Sequence, residues 1–243
     1  MNKNIKVTVW NEYGDDQKKP AIAGIYPNGM HITIADFLNK DENIQARTAV
    51  LADNEHGLSE AALDDTDVLI WWGHSLHDKV EDKIAKRVVE RVQRGMGIIF
   101  LHSAHKSKPF MELMGTSGYL CWREAGERER IWTVTPSHPI AQGIPEQFVL
   151  EQEEMYGEPF GIPEPLQTVF IGWFEGGNVF RSGVTFQREY GKIFYFQPGH
   201  ETYPVYHHEM IQKIITNAVK WANPVTRVSS LACPNAPPLE DLS

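Results

Sequence analysis

Groups that could move protons or hold a metal collect in four short stretches: Asn11-Glu12-Tyr13, Gly73-His74-Ser75 with His77 just behind, His102-Ser103-Ala104-His105, and Gln197-Pro198-Gly199-His200-Glu201. Imidazole titrates near neutral pH, so His102 and His200 could shuttle protons while Glu201 orients one of the rings. The same nitrogen and oxygen donors would suit a divalent metal such as zinc. His74/His77 and His102/His105 share an i, i+3 spacing, though it matches no established zinc signature. Glu154 and Tyr156, with Asn11, Trp72, His74 and His105, are the residues expected to hold hydroxyl groups of a ligand. His31, His56 and His138 lack a comparable setting and read as surface or core residues, and His207 and His208 as exposed imidazoles in the first turns of the last helix.

What must position these groups is the set of apolar runs that precede them. Residues 5–10 form a short run rich in β-branched residues and 45–51 read as a second strand; 67–72 is nearly all apolar, of the kind a parallel sheet buries on both faces, and 97–102 and 191–196 read as further buried strands. Between them lie helical patterns. Around 30–40, Met30, Ile34, Phe37 and Leu38 share a face; at 78–95, Val80, Ile84, Val88 and Val92 do, with Gly95 as the stop. Pro204 is placed to open a last helix carrying Ile211, Ile214, Ile215, Ala218 and Ala222. Strands alternating with helices imply right-handed crossovers and a parallel sheet. The expected fold is therefore α/β, a flavodoxin-like three-layer arrangement. All four chemical stretches then fall beyond the carboxyl ends of strands, where open sheets bind ligands. His102 and His200 are expected to face a common cavity with Glu201, His74 and Asn11 on its rim, so that replacing His102 by alanine spares the fold. The middle of the chain, with strand signals at 131–135, 148–150, 169–174 and 179–187, reads as an antiparallel extension or an inserted cap. Residues 1–222 are expected to form one domain and 223–243 an extended tail.

Composition narrows the function. The 243 residues carry a net charge of −9 with no basic cluster, which argues against nucleic acid and anionic membranes as partners. No segment approaches the length of a membrane span and the first residues lack an apolar leader core, so a cytoplasmic location is expected. Two cysteines, Cys121 and Cys233, stand far apart and outside any CxxC pair, so neither a disulfide framework nor a thiolate zinc site is implied. The proline-rich tail carries Leu231, Leu239 and Leu242, and is expected to lie on an apolar groove, with self-association to form a homo-oligomer as the corollary.

The stretch Gly97-Ile-Ile-Phe-Leu-His102-Ser-Ala104 resembles the nucleophile elbow of class I glutamine amidotransferases, with His102 where the cysteine would stand. Gly191-Lys-Ile-Phe-Tyr-Phe-Gln197-Pro-Gly-His200-Glu201 resembles the region that carries that family's histidine and glutamate. The combination is more similar to the ThuA-like (trehalose utilisation) family, which shares the amidotransferase-like fold without its cysteine. The matching features are Leu101-His102, Ser137-His-Pro-Ile140 followed by Gly143, Glu154-Met-Tyr156, and Gly191-Lys-Ile-Phe-Tyr leading to Gly199-His200. The resemblance implies catabolism of trehalose or a related disaccharide, in a keto-sugar form, with no cofactor demanded by the sequence. Glutaminase activity is not expected, because a histidine at the elbow cannot form the thioester. Three readings compete: acid/base chemistry on a keto-sugar, a metal-dependent hydrolase or isomerase using the same histidines, and a non-catalytic sugar-binding or regulatory module.

Overall fold

The computed structural model describes residues 4–241. Nine strands form one sheet in the order β2-β1-β3-β4-β9-β8-β7-β5-β6. Its first five members, β1 (Ile5–Asn11), β2 (Ile44–Val50), β3 (Val68–Trp72), β4 (Gly97–Leu101) and β9 (Gly191–Phe196), pair in parallel. With β9 counted as the fifth strand, this is the flavodoxin-like order. The other four, β5 (Cys121–Thr133), β6 (Gln147–Gly157), β7 (Gln167–Phe174) and β8 (Val179–Arg188), pair antiparallel and continue the same sheet beyond β9. The middle of the chain is thus an extension and not a cap.

Side-chain alternation in the parallel strands feeds two cores. Val68, Ile70, Trp72, Ile99, Leu101, Phe194 and Phe196 point to one layer, where α2 (Met30–Leu38) and α6 (Glu209–Ala222) pack, with α1 (Pro20–Ile25) contributing Ile22. Leu69, Trp71, Ile98, Phe100, Ile193 and Tyr195 point to the other, covered by α3 (Glu60–Asp64), α4 (Asp82–Gln93) and α5 (Lys108–Met114). The fold is therefore a three-layer α/β sandwich. Among the described residues no helix is long and apolar enough to cross a membrane.

Several boundaries differ from the sequence reading, for local reasons. The helix expected from residue 78 begins at Asp82, because Glu81 is extended and its N–H is claimed by His56 Nε2 (3.1 Å). The last helix begins at Glu209. Pro204 opens only a short 3₁₀ turn, and His208 then caps α6, its Nδ1 accepting from Met210 N–H (3.2 Å). His207 is likewise engaged, stacked on Tyr26 at 5.1 Å. β5 and β6 are far longer than the expected 131–135 and 148–150. The tail first crosses its own molecule: Val228 N–H bonds Arg94 O (3.0 Å) and Arg227 pairs with Asp67 (2.9 Å). Beyond it Leu239 is fully exposed, and Leu242 lies outside the described residues. Cys121 and Cys233 are exposed free thiols.

Candidate functional site

β4 ends at Leu101 and the chain turns sharply through His102, whose φ of +53° lies in the left-handed region that side chains avoid. Such strain persists only where surroundings hold it. Here Tyr195 Oη donates to His102 O (2.9 Å), and His102 Nδ1 donates to Gln197 O (2.9 Å). The ring is 0% exposed, stacked on Tyr156 at 4.9 Å, with Nε2 3.0 Å from Glu154 Oε2 and 3.4 Å from Tyr156 Oη. Burial opposes a charge on this ring. The Glu154 hydrogen bond and charge outweigh it, so His102 is held protonated and Glu154 ionised.

The loop after β9 is built around Gly199, at φ +148°, where a Cβ would lie 2.1 Å from Tyr206 Oη. Trp72 Nε1 donates to Gly199 O (3.0 Å). The fully buried Glu153 carboxylate accepts from the N–H groups of Gly199 (2.7 Å), His200 (3.2 Å) and Glu154 (2.8 Å). These bonds aim His200 at the other histidines: ring centroids are 5.3 Å from His102 and 5.5 Å from His74. His74 Nδ1 meets Glu201 Oε1 at 3.0 Å, and Glu201 Oε2 is 3.7 Å from His200 Nε2. Burial lowers the pKa of His200, with the His102 charge adding, to about 4. For His74 burial is outweighed by the Glu201 hydrogen bond and charge, which raise it, and Glu201 is held well below the usual carboxylate range.

His74, His200, Glu154, Tyr156, His105 and Ser103 line a cavity of about 380 Å³, with His77, Lys106, Leu120, Trp122 and Glu124 toward its mouth. That volume suits a small ligand. Of the residues expected to bind or react, His102 and Glu201 stand directly behind this lining, and His74, His105, His200, Glu154 and Tyr156 are part of it. His105 is fixed by Nδ1 donating to Gly118 O (2.6 Å), and burial keeps it neutral.

Asn11 and Trp72 do not reach the cavity. Asn11 is buried, its amide closed on Gln17 by two bonds of 2.9 and 3.0 Å, because a last strand residue still points into a layer. Trp72 lies in the core and acts as the brace on Gly199 already described. Glu12 is also withdrawn: its carboxylate accepts from three successive N–H groups, those of His74 (2.8 Å), Ser75 (2.9 Å) and Leu76 (3.0 Å). Sequence reasoning missed Glu153, Trp122 and Glu124. Alternation along β6, had the strand been followed beyond Leu150, would have set Glu153 on the opposite face from Glu154.

Two groups of three could hold a cation, His74/His200/Glu201 and His102/Glu154/His200, with the donor atoms of each within 4.8 Å of one another. Imidazole and carboxylate donors in that number fit zinc or a similar ion.

The family description "Trehalose utilisation" (ThuA) matches residues 6–222. The chain belongs to the ThuA family. Among solved structures it is similar to a ThuA-like protein from Parabacteroides merdae, with a TM-score of 0.70 and 13% identity over 93% of each chain. Another, from Bacteroides uniformis, gives 0.65 and 14% over 91% of this chain and 93% of that one. A glutamine amidotransferase from Thermotoga maritima gives 0.55 and 11%, over 90% and 98%. At these identities the likeness is one of fold, and the fold is that of the ThuA-like and class I amidotransferase-like proteins. No curated protein matches the sequence significantly.

Proposed function

We propose that this ThuA-family chain acts on a carbohydrate of the trehalose kind in its keto form, by proton transfer beside the carbonyl. The observation that carries the reading is a cavity with opposite character on its two sides. On one, the Glu154 carboxylate is backed by the His102 imidazolium. On the other, His74 and His200 are backed by Glu201.

The tautomer of His200 supports a division of labour. Thr202 N–H is directed at His200 Nδ1 (3.3 Å), so in the neutral ring Nε2 carries the proton. His200 Nε2–H and His74, whose pKa the neighbouring Glu201 raises, then polarise the carbonyl oxygen and hold the enolate oxygen that forms. Glu154 takes the proton from the adjacent carbon, and His102 keeps it ionised and aimed. Delivery of that proton to the former carbonyl carbon, as the hydroxyl on the adjacent carbon passes its own proton through His200 to the enolate oxygen, gives isomerisation; departure of a group from the next carbon, protonated by His74 as it leaves, gives elimination. Glu154 is thereby moved from hydroxyl holder to base, and His102 from proton shuttle to positioning group. The test is solvent exchange: in D₂O, keto-trehalose should gain deuterium next to its carbonyl with the wild-type chain and not with Glu154→Gln. Exchange at the protein-free rate with the wild type would sink the mechanism.

A second reading is favoured by the convergence of donor atoms on His200. His102, Glu154 and His200, or His74, Glu201 and His200, would hold a divalent cation, which would supply carbonyl polarisation when bound. It requires the other tautomer, with His200 Nδ1–H donating to Thr202 Oγ1 (2.7 Å). Elemental analysis after equilibration with zinc and desalting separates the two: stoichiometric metal, lost in His200→Ala, favours this reading.

A further inference from the structure

We propose that Trp122 is the platform of a second sugar subsite, so that the cavity selects a disaccharide over a single sugar. The inference rests on the sugar reading above and assigns the part of the cavity that the proton-transfer groups leave unused. β5 and β6 pair Trp122 directly with Tyr156, and both side chains line the cavity. Directly opposed residues share a face, with Cβ atoms about 5 Å apart. Tyr156 is in turn stacked on His102, with an interplanar angle of 19°. Exposure rises from 0% at His102 and 3% at Tyr156 to 64% at Trp122.

A water-exposed indole at the mouth of a polar cavity has a flat apolar face, and the described residues leave it 64% exposed. The non-polar C–H face of a pyranose fits that surface, and the indole loses little side-chain freedom in meeting it. The ring is carried by a strand and not a loop: Arg123, pointing the other way, is tied to Glu127 (2.6 Å) and Asn178 (3.1 Å). Glu124 also faces the cavity, with Oε1 3.9 Å from His200 Nε2, and offers a carboxylate to hydroxyls between the two subsites. Aromatic face and carboxylate together match a carbohydrate better than an apolar ligand, which would leave Glu124 desolvated without a partner.

The test is calorimetric titration of the full chain with trehalose, keto-trehalose, glucose and keto-glucose. The wild type should bind the disaccharide of a pair about tenfold more tightly than the monosaccharide. Trp122→Ala should weaken the disaccharide far more than the monosaccharide and erase that preference, and Trp122→Phe should keep most of it. Because the side chain is exposed, unchanged melting of both variants certifies the fold. Equal losses for both sugar sizes, or no loss for either, would overturn the subsite while leaving the sugar reading intact. A wild-type chain that binds none of the four sugars would overturn the sugar reading and the subsite with it.

Discussion

The contact that decides most at the scale of single residues is His102 against Glu154. The ring is fully buried, which argues for a structural cost that the expectation of a fold-sparing His102→Ala left out. Removing the imidazole strands the Glu154 carboxylate in a place with little water, and breaking a buried pair from one side costs about 3 kcal/mol. His102→Ala should therefore be markedly destabilised, and His102→Ala/Glu154→Gln should recover part of the loss, because the amide carries no charge. Urea unfolding of the four species in a double-mutant cycle gives the coupling; strict additivity would mean that the pair is not formed. Glu129 offers a pH test. It is fully buried on β5, accepts from Ser182 Oγ (2.9 Å), and burial raises its pKa well above the ordinary value, with the Glu153 charge adding. A raised carboxyl releases its proton first from the unfolded chain, so the fold loses stability as pH climbs past the ordinary range, until the folded carboxyl itself ionises. Glu129→Gln keeps the acceptor and cannot ionise. Its advantage over the wild type should be near zero at about pH 4 and grow by about 1.4 kcal/mol per pH unit above that. A difference that stays flat with pH would show Glu129 to be ionised in the fold.

Among the elements, the loop after β9 is the one on which the site depends. Gly199→Ala forces a side chain into a φ of +148° and against Tyr206 Oη, a strain of roughly 1–3 kcal/mol. It should abolish solvent exchange in keto-trehalose while leaving most of the melting temperature, and Gly199→Ala/Tyr206→Phe should restore part of the exchange. An active single variant would mean that the loop does not aim His200. The elements also show what could be read from sequence. β3 and β4 were legible because strands buried on both faces read as apolar runs, β1 and β9 because they are short runs of β-branched and aromatic residues, and α4 because its stripe is periodic. His74, His102 and His200 followed from them, since parallel strands end on one edge. Only the end of β5 was legible: Arg123, Glu124, Glu127, Arg128 and Arg130 give the rest the look of a loop, when they belong to a strand near the sheet margin. With the first part of β5 and the last part of β6 unseen, Trp122 had no place, and Glu153 could not be told from Glu154. Asn11 and Trp72 were misplaced for the opposite reason: sitting at a strand end does not make a side chain point beyond it.

For the whole molecule, a shared architecture does not carry a shared reaction. The elbow that holds a nucleophile in amidotransferases bears His102 here, and both cysteines are exposed elsewhere. The purified chain should release no ammonia from glutamine above a protein-free blank; release that survives further purification would refute this. The tail divides at Val228. Its first part is bonded to the body, whereas Leu231 and Leu239 beyond it are exposed. If that outer part joins copies, truncation after Val228 should lower the mass seen in light scattering without changing the melting temperature. An unchanged mass would remove the tail from any assembly.

The cradle of three successive N–H groups after β3 has one more consequence. Such a cradle is where proteins of many folds seat phosphoryl groups. In this chain it is filled from within by Glu12, fixed by three bonds. A phosphoryl group would have to displace that carboxylate to be seated there. The chain should accordingly discriminate against trehalose phosphate in favour of the free sugar, a preference set by the backbone turn and not by any side chain that touches the sugar rings.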